Sequence, residues 1–499
     1  MKANHIVIVG GGTSGWMAAN LLATRLRHRK CSITVIEPST IPTVGVGEGS
    51  TPYFKDFFDA IGVKESEWMP ACQATFKTGI AFPNWSRTAN QKTYFHPFYS
   101  EIDAPQVEVF FAACEARRQG YDANAHPDEF FVSHHLYTQS INPNHVAVDC
   151  GYHFDSALLA KFLKTKATQN GVVCLDDEVA SVSTDCQGNI DYLRTNTEGL
   201  IKGDFYLDCT GFRGLLIKQA LNSSTASYQD KLFCNAAIAL PVEHSDDTKA
   251  LNATISRAES MGWMWNIPLQ NRLGVGLVYS QNHVEDDRVL ETIKTRFDLS
   301  DEQVNTARKL SWEPQRLQQH WIKNCVAIGL SQGFLEPLEA AMLNITQRSI
   351  ELLLDILLKG DSSSIETKEI NQYNEVVNGM FDGTCDYIQA HYLLNSRNDS
   401  EFWRDVRANT NLSEGLKDIL ETWHNNRSLN QALIRHPSTQ IYLKTSWYCL
   451  LSGLGCYAPS QKTLPQHSAA IISNAKLKAH QWALSISKNK SLTREASLV

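Results

Sequence analysis

Residues 5–15 read HIVIVGGGTSG, and this stretch decides the fold. The β-branched run His5–Val9 predicts a short strand. It leads straight into Gly10-Gly11-Gly12-Thr13-Ser14-Gly15, a G-x-G-x-x-G spacing. Gly10 permits the tight turn, Gly12 lets the backbone approach a pyrophosphate, and Gly15 lets helix pack on strand. A helix is expected from about Ser14 to Arg27. Its N-terminus, with free N–H groups and the positive end of the dipole, favours an anion. Residues 32–36 (SITVI) predict a second strand ending at Glu37, 22 residues beyond Gly15. A carboxylate there can accept a hydrogen bond from a ribose hydroxyl. Strand, glycine turn, helix, strand and acidic residue in this order predict a βαβ dinucleotide site. Its candidate residues are Gly10, Gly12, Thr13, Ser14, Gly15 and Glu37.

Three further segments favour FAD over NAD. Residues 203–211 (GDFYLDCTG) read as a strand bringing Asp208 to a second nucleotide edge, and 326–329 (VAIG) as another strand ending at Gly329. Residues 44–50 (VGVGEGS) form a loop whose glycines, Gly47 among them, allow close backbone contact with a ring system.

Composition bounds the rest. The chain has 499 residues, enough for a large core, and 46 Lys+Arg against 53 Asp+Glu give a net charge of −7. That balance argues against nucleic acid as a partner. No apolar run reaches the roughly 18 residues that span a bilayer, so no membrane partner is expected. The longest apolar helical stretch, residues 350–358, is interrupted by Glu351 and Asp355. No signal peptide is read at the N-terminus. Twelve cysteines lie scattered without a CxxC pair or zinc-type spacing, which predicts reduced thiols, no structural metal and a cytoplasmic location.

The expected fold class is α/β with α+β elements: a Rossmann-type, flavin monooxygenase-like FAD-binding body with a substrate-facing insertion and a C-terminal helical module. The body is placed at 1–365, with substrate-site insertions at about 61–145 and 230–315. The polar, Ser-rich stretch around Gly360 serves as linker, and the module at 366–499 covers the substrate site. Trp403, Trp423, Trp447 and Tyr448 are its conspicuous aromatics, and the last ten or so residues are expected to fray.

Residues 262–268 read GWMWNIP, matching a G-W-x-W-x-I-P signature. With the loop GVGEGSTP, Lys77 in FKTGIAFPNW, FLEPLE at 334–339, NDSEFWRD and SWYCLLSGLG, they make the chain resemble the flavin-dependent tryptophan halogenases over nearly its whole length. The resemblance implies that reduced FAD and oxygen oxidise a halide, bromide or chloride, to a hypohalous acid. That acid is relayed to a lysine, here Lys77, and a carboxylate, here Glu339, assists proton loss from the halogenated ring. Gly47, Val179, Asp208 and Gly329 stand as candidate flavin contacts; the resemblance adds substrate contacts at His96 and Phe98, and Trp447, Tyr442 and Tyr448 are candidates to close the pocket from the helical module. Trp263 and Trp265 would wall off the flavin. The implied substrate is an electron-rich indole: tryptophan, indole itself or a Trp-bearing peptide. A separate flavin reductase is the implied partner, and a homodimer is one open assembly.

The pattern departs from the family at one place. Where family members usually carry Ser-Thr-Gly, this chain has Ala340-Ala341-Met342. Backbone N–H groups at Ala341 and Met342 survive the change as halide donors. The loss of glycine nonetheless removes access to positive φ, and a Met side chain can crowd the pocket. A flavin-dependent aromatic monooxygenase or other FAD oxidoreductase, and a non-catalytic flavin-fold binding protein, remain open as alternatives.

Overall fold

The structure is a computed structural model that describes residues 4–40, 47–87, 93–143, 148–245, 248, 251–359, 365–437 and 441–488. Contacts group the chain into two compact units, each assembled from three segments. The first comprises 1–74, 154–229 and 312–382; the second comprises 75–153, 230–311 and 383–499. Residue 365, where a break was expected, falls inside the last segment of the first unit, and that segment ends within the helix Thr367–Leu394. Residues 360–364, the core of the expected linker, lie outside the described residues, as do the last eleven.

The first unit is built on a six-stranded sheet. Its order is Trp321–Ile322, Cys325–Ala327, Phe205–Asp208, His5–Val9, Ser32–Ile36 and Val173–Leu175. All pairs are parallel except the edge hairpin at 321–327. Parallel strands are covered on both faces, which is why Ile6, Val7 and Ile8 read as an unbroken apolar run and are fully buried. The helix Thr13–Arg25 follows the glycine turn and packs with Ser156–Gln169 and Met342–Lys359. Register aligns the carboxyl ends of four strands in one row: Ile36 beside Val9, Val9 beside Asp208, and Asp208 beside Ala327. Open α/β sheets bind ligands at such a row.

The second unit holds a seven-stranded sheet ordered Arg308–Ser311, Ala236–Val242, Leu273–Tyr279, Gly262–Pro268, Thr254–Glu259, Gly79–Pro83 and Thr93–Pro97. It is antiparallel except where Thr254–Glu259 meets Gly79–Pro83. One face is closed by the helix Asp286–Phe297, whose Val289 and Ile293 join Leu277, Val275 and Met264 in an apolar cluster. The helix Lys444–Gly453 lies against the edge strand Thr93–Pro97. A methyl group added at Gly453 would stand 2.7 Å from the Tyr94 side chain, so that glycine sets the close approach. The short strand Thr75–Lys77 precedes the sheet and pairs antiparallel with residues 151–153. All twelve cysteines are free thiols. Among the described residues no helix is long and apolar enough to cross a membrane.

Candidate active site

The glycine turn is fixed by sterics. Gly10 has φ +105°, and a Cβ there would stand 2.2 Å from the Cys209 carbonyl oxygen. A Cβ at Gly15 would stand 2.0 Å from the Gly10 carbonyl oxygen, so strand and helix touch through backbone alone. Gly12, the residue before the helix, has nothing within 4 Å of its ideal Cβ position. That opening sits at the helix N-terminus beside Thr13 and Ser14, where free amides and the dipole suit a pyrophosphate. The Glu37 carboxyl lies over Gly11, which has room for it only because it lacks a side chain, and it pairs with Lys164 Nζ at 3.0 Å. Gly329, at φ +72°, opens a turn pressed against Ser14. The bare, open cradle at Gly12 and the acid beside it fit a dinucleotide such as FAD.

Asp208 holds the neighbouring turn together. Its Oδ2 accepts from the amides of Leu216 and Ile217, each at 2.8 Å. Its Oδ1 accepts from the Thr210 amide and hydroxyl and from the Ser331 hydroxyl. Both oxygens are thus occupied by the chain itself, at a fully buried position. Val179 is buried with Val7, Val9, Ile36 and Leu193, so its side chain belongs to the core and only its backbone can face a ligand.

Within the first unit, Gly47 begins the short strand Gly47–Gly49, while residues 44–46 lie outside the described residues. The half-buried Glu48 carboxyl is pushed up to about 7, by burial first and then by the charge of Asp155, against a hydrogen bond from Ser156. Asp155 itself caps the helix Ser156–Gln169, accepting from the amides of Ala157 and Leu158. The loop is tied to the helix Met342–Lys359: Asn344 donates to the Thr51 hydroxyl at 3.1 Å, Tyr53 bonds Glu351, and Arg348 lies 4.4 Å over the Tyr53 ring. Glu336 and Glu339 are both buried in the turn before that helix. Ala340 adopts φ +54°, and its amide donates to the Pro337 carbonyl at 3.1 Å. The left-handed residue is therefore Ala340, while Met342 simply opens the helix.

In the second unit Lys77 ends its strand fully buried, with Nζ 5.4 Å from the centre of the Phe98 ring. A buried ammonium over an aromatic face replaces part of its lost hydration by cation–π attraction. The residue across the ladder from Lys77 is Gly151, so no side chain competes for that space. His96, buried on the edge strand, has its ring 6.0 Å from Tyr387. Tyr387 stacks on Tyr442 at 3.8 Å and meets the buried Trp447 edge-on at 5.0 Å. The structure thus brings His96, Tyr442 and Trp447 together around Tyr387, a residue the sequence did not single out. Tyr387 lies mid-helix at an ordinary core spacing, which carries no signal in a lone sequence. Tyr448 turns elsewhere: its hydroxyl bonds Glu115 at 2.7 Å. Trp263 and Trp265 sit on a central strand with rings 6.1 Å apart, and Gly276 leaves the space that the Trp265 ring fills.

The tryptophan halogenase family model matches residues 5–470. The 7-chloro-L-tryptophan 6-halogenase KtzR of Kutzneria sp. (strain 744) is 34% identical over 477 residues, covering 90% of each chain. Among solved structures, the tryptophan 6-halogenase SttH from Streptomyces toxytricini superposes with a TM-score of 0.83, at 29% identity and 98% coverage of both chains. Xcc4156, a flavin-dependent halogenase from Xanthomonas campestris, also gives 0.83, at 30% identity over 98% of this chain and 96% of its own. A match of this extent, joined to a nucleotide turn that fits FAD, makes the chain a member of the tryptophan halogenase family and a flavin-dependent halogenase.

Proposed function

We propose that the chain installs bromide or chloride on an electron-rich indole through a hypohalous acid held by Lys77. The observation that carries this reading is the burial of Lys77 over Phe98, in a chain that matches the family over residues 5–470. A buried cation is costly to keep without a task, and perturbed charges gather at functional sites.

FAD, once reduced by a separate flavin reductase, supplies with oxygen the two-electron oxidation of halide to hypohalous acid. The amides of Ala341 and Met342, at the start of the helix Met342–Lys359, are the halide donors in this reading. Lys77 donates a hydrogen bond to the hypohalous oxygen and polarises the O–X bond. As the ring carbon takes the halogen, that oxygen leaves as water with the lysine proton. Glu339 stabilises the cationic ring and accepts its C–H proton. His96, Phe98 and Trp447 bind the flat indole by stacking and edge contacts, with Tyr387 and Tyr442 behind them. The substrate range covers tryptophan, indole and a Trp-bearing peptide, and the enzyme works in the cytoplasm, as a monomer or a homodimer.

The test is an aerobic reaction with FAD, NADH, an added flavin reductase and mixed bromide and chloride, offered tryptophan, indole and a Trp-containing peptide. Mass spectrometry should show a halogen isotope doublet that is absent with Lys77→Ala. A product that gains oxygen alone overturns the reading in favour of a monooxygenase. Halogenation at the normal rate by Lys77→Ala removes the role given to that lysine.

A further inference from the structure

Lys77 closes a strand of three residues, too short to hold a buried side chain by its own ladder. Thr75 lies two positions earlier, on the same face, and across the ladder from it stands His153. His153 is fully buried. Its Nδ1 lies 3.2 Å from the Thr75 hydroxyl oxygen and its Nε2 lies 2.9 Å from the Thr254 hydroxyl oxygen. The Thr75 hydroxyl donates to the Pro268 carbonyl at 2.6 Å.

These bonds can run in only one direction. A hydroxyl has one proton, and that of Thr75 is given to Pro268, so Thr75 must accept from His153 Nδ1–H. A neutral ring then leaves Nε2 as an acceptor, filled by the Thr254 hydroxyl. Burial, and after it the charge of Lys77, hold the His153 pKa well below its ordinary value, in agreement with a neutral ring of this single tautomer. The far side of Lys77 is braced as well. The Thr78 amide and hydroxyl both donate to the Asn252 carbonyl, at 2.7 and 3.0 Å, and Asn252 donates in turn to the carbonyls of Leu136 and Ile141.

We propose that His153 is a positioning residue for Lys77: the directed chain from Thr254 through His153 and Thr75 to the Pro268 carbonyl locks the strand that presents the ammonium. The inference rests on the reading of Lys77 as the group that holds the hypohalous acid. If the lock is released, the acid still forms, but less of it is captured and more escapes to solution.

The experiment measures, per reduced flavin oxidised, brominated indole against free hypobromous acid trapped by a soluble scavenger. His153→Phe fills the space without either bond. It should lower product roughly 10-fold and raise the escaping acid in step, with the KM for indole and the affinity for FAD unchanged. His153→Asn keeps an amide donor near the Nδ1 position and should restore product to within roughly 2-fold of the wild type. Should His153→Phe fail to fold, Thr254→Val removes one link with the imidazole in place, and roughly a 3-fold shift in the same ratio is expected. A ratio unmoved in His153→Phe, or in Thr254→Val where that variant stands in, overturns the proposal, as does a His153→Asn no better than Phe. Lys77→Ala separates the two levels. If it yields only escaping acid, the Lys77 reading stands whatever His153 does; if it yields normal product, both fall together.

Discussion

The nucleotide turn and the Lys77 strand solve the problem of a buried charge in opposite ways. At residues 10–15 the charge belongs to the ligand, and the protein answers with bare backbone: Gly10 and Gly15 carry no side chain because a carbonyl stands 2.0–2.2 Å from where Cβ would be. At Lys77 the charge belongs to the protein. It is answered by the Phe98 ring and by a hydrogen-bonded surround brought from residues 153, 252, 254 and 268, side chains and carbonyls together. A site made of backbone is contiguous in sequence and tolerates almost no substitution. One made of polar side chains is dispersed, and each member can be changed with a graded effect.

The largest effects test the first half of that contrast. Gly15→Ala and Gly10→Ala should fail to fold or lose most of their stability, since each new methyl meets fixed backbone, and Gly10 also has positive φ. Gly12→Ala should melt close to the wild type, because space is open at its Cβ, yet lose roughly 10-fold or more in FAD affinity. Thermal melting and a flavin titration decide it. A well-folded Gly15→Ala would break the steric account, and an unfolded Gly12→Ala would turn the open cradle into a structural element.

The second half is tested by Lys77→Met, which keeps the length of the side chain and deletes its charge. Halogenation should fall by roughly 10²–10⁴-fold. Thermal stability should hold or rise, because a buried ammonium no longer has to be desolvated. A marked drop in melting temperature would mean that Lys77 serves the fold as much as the chemistry.

The same contrast explains what was legible in the sequence. The strands His5–Val9 and Ser32–Ile36 fall on the expected residues, and the helix starts one residue early and ends two short, at Thr13–Arg25. Such elements are set by local pattern. Lys77 and Glu339 are singled out by resemblance alone, and both are buried. The five hydrogen bonds that the Asp208 carboxyl accepts, from residues 210, 216, 217 and 331, leave no spacing pattern around it. Tyr387 and His153 escaped notice for a related reason. An aromatic in a helix and a histidine in a strand look like core until the chain brings their partners to them. The interleaving of the two units, three segments each, is likewise a long-range fact without a local mark.

Glu48 offers a pH test of intermediate size. Its folded pKa of about 7 lies above the ordinary carboxyl value of 4.5, so between these two pH values the folded chain binds the extra proton. By linkage its contribution to stability is greatest below the lower value and declines as pH rises through the window. Melting temperature followed from pH 4.5 to pH 8 should therefore fall less steeply in Glu48→Gln than in the wild type. Parallel curves would show that the Glu48 carboxyl is not held protonated by its surroundings.

The smallest effect is expected at Ala340, where the two strategies meet. In the nucleotide turn positive φ falls on a glycine, Gly10, but here an alanine adopts +54° next to the Ala341 and Met342 amides. Left-handed backbone costs an alanine about 1 kcal/mol, and a glycine gives back part of that gain through its freer unfolded chain. Ala340→Gly should thus gain about 0.5 kcal/mol at most. It should also leave halogenation unchanged at saturating bromide, because the amide donors remain. Ala340→Val puts a β-branched residue where φ is positive and should lose stability clearly. Bromide dependence of the rate, measured on both variants, then separates shape from strain. If glycine lowers stability, the methyl of Ala340 is packing rather than strained, and the backbone-built character of this turn has to be given up.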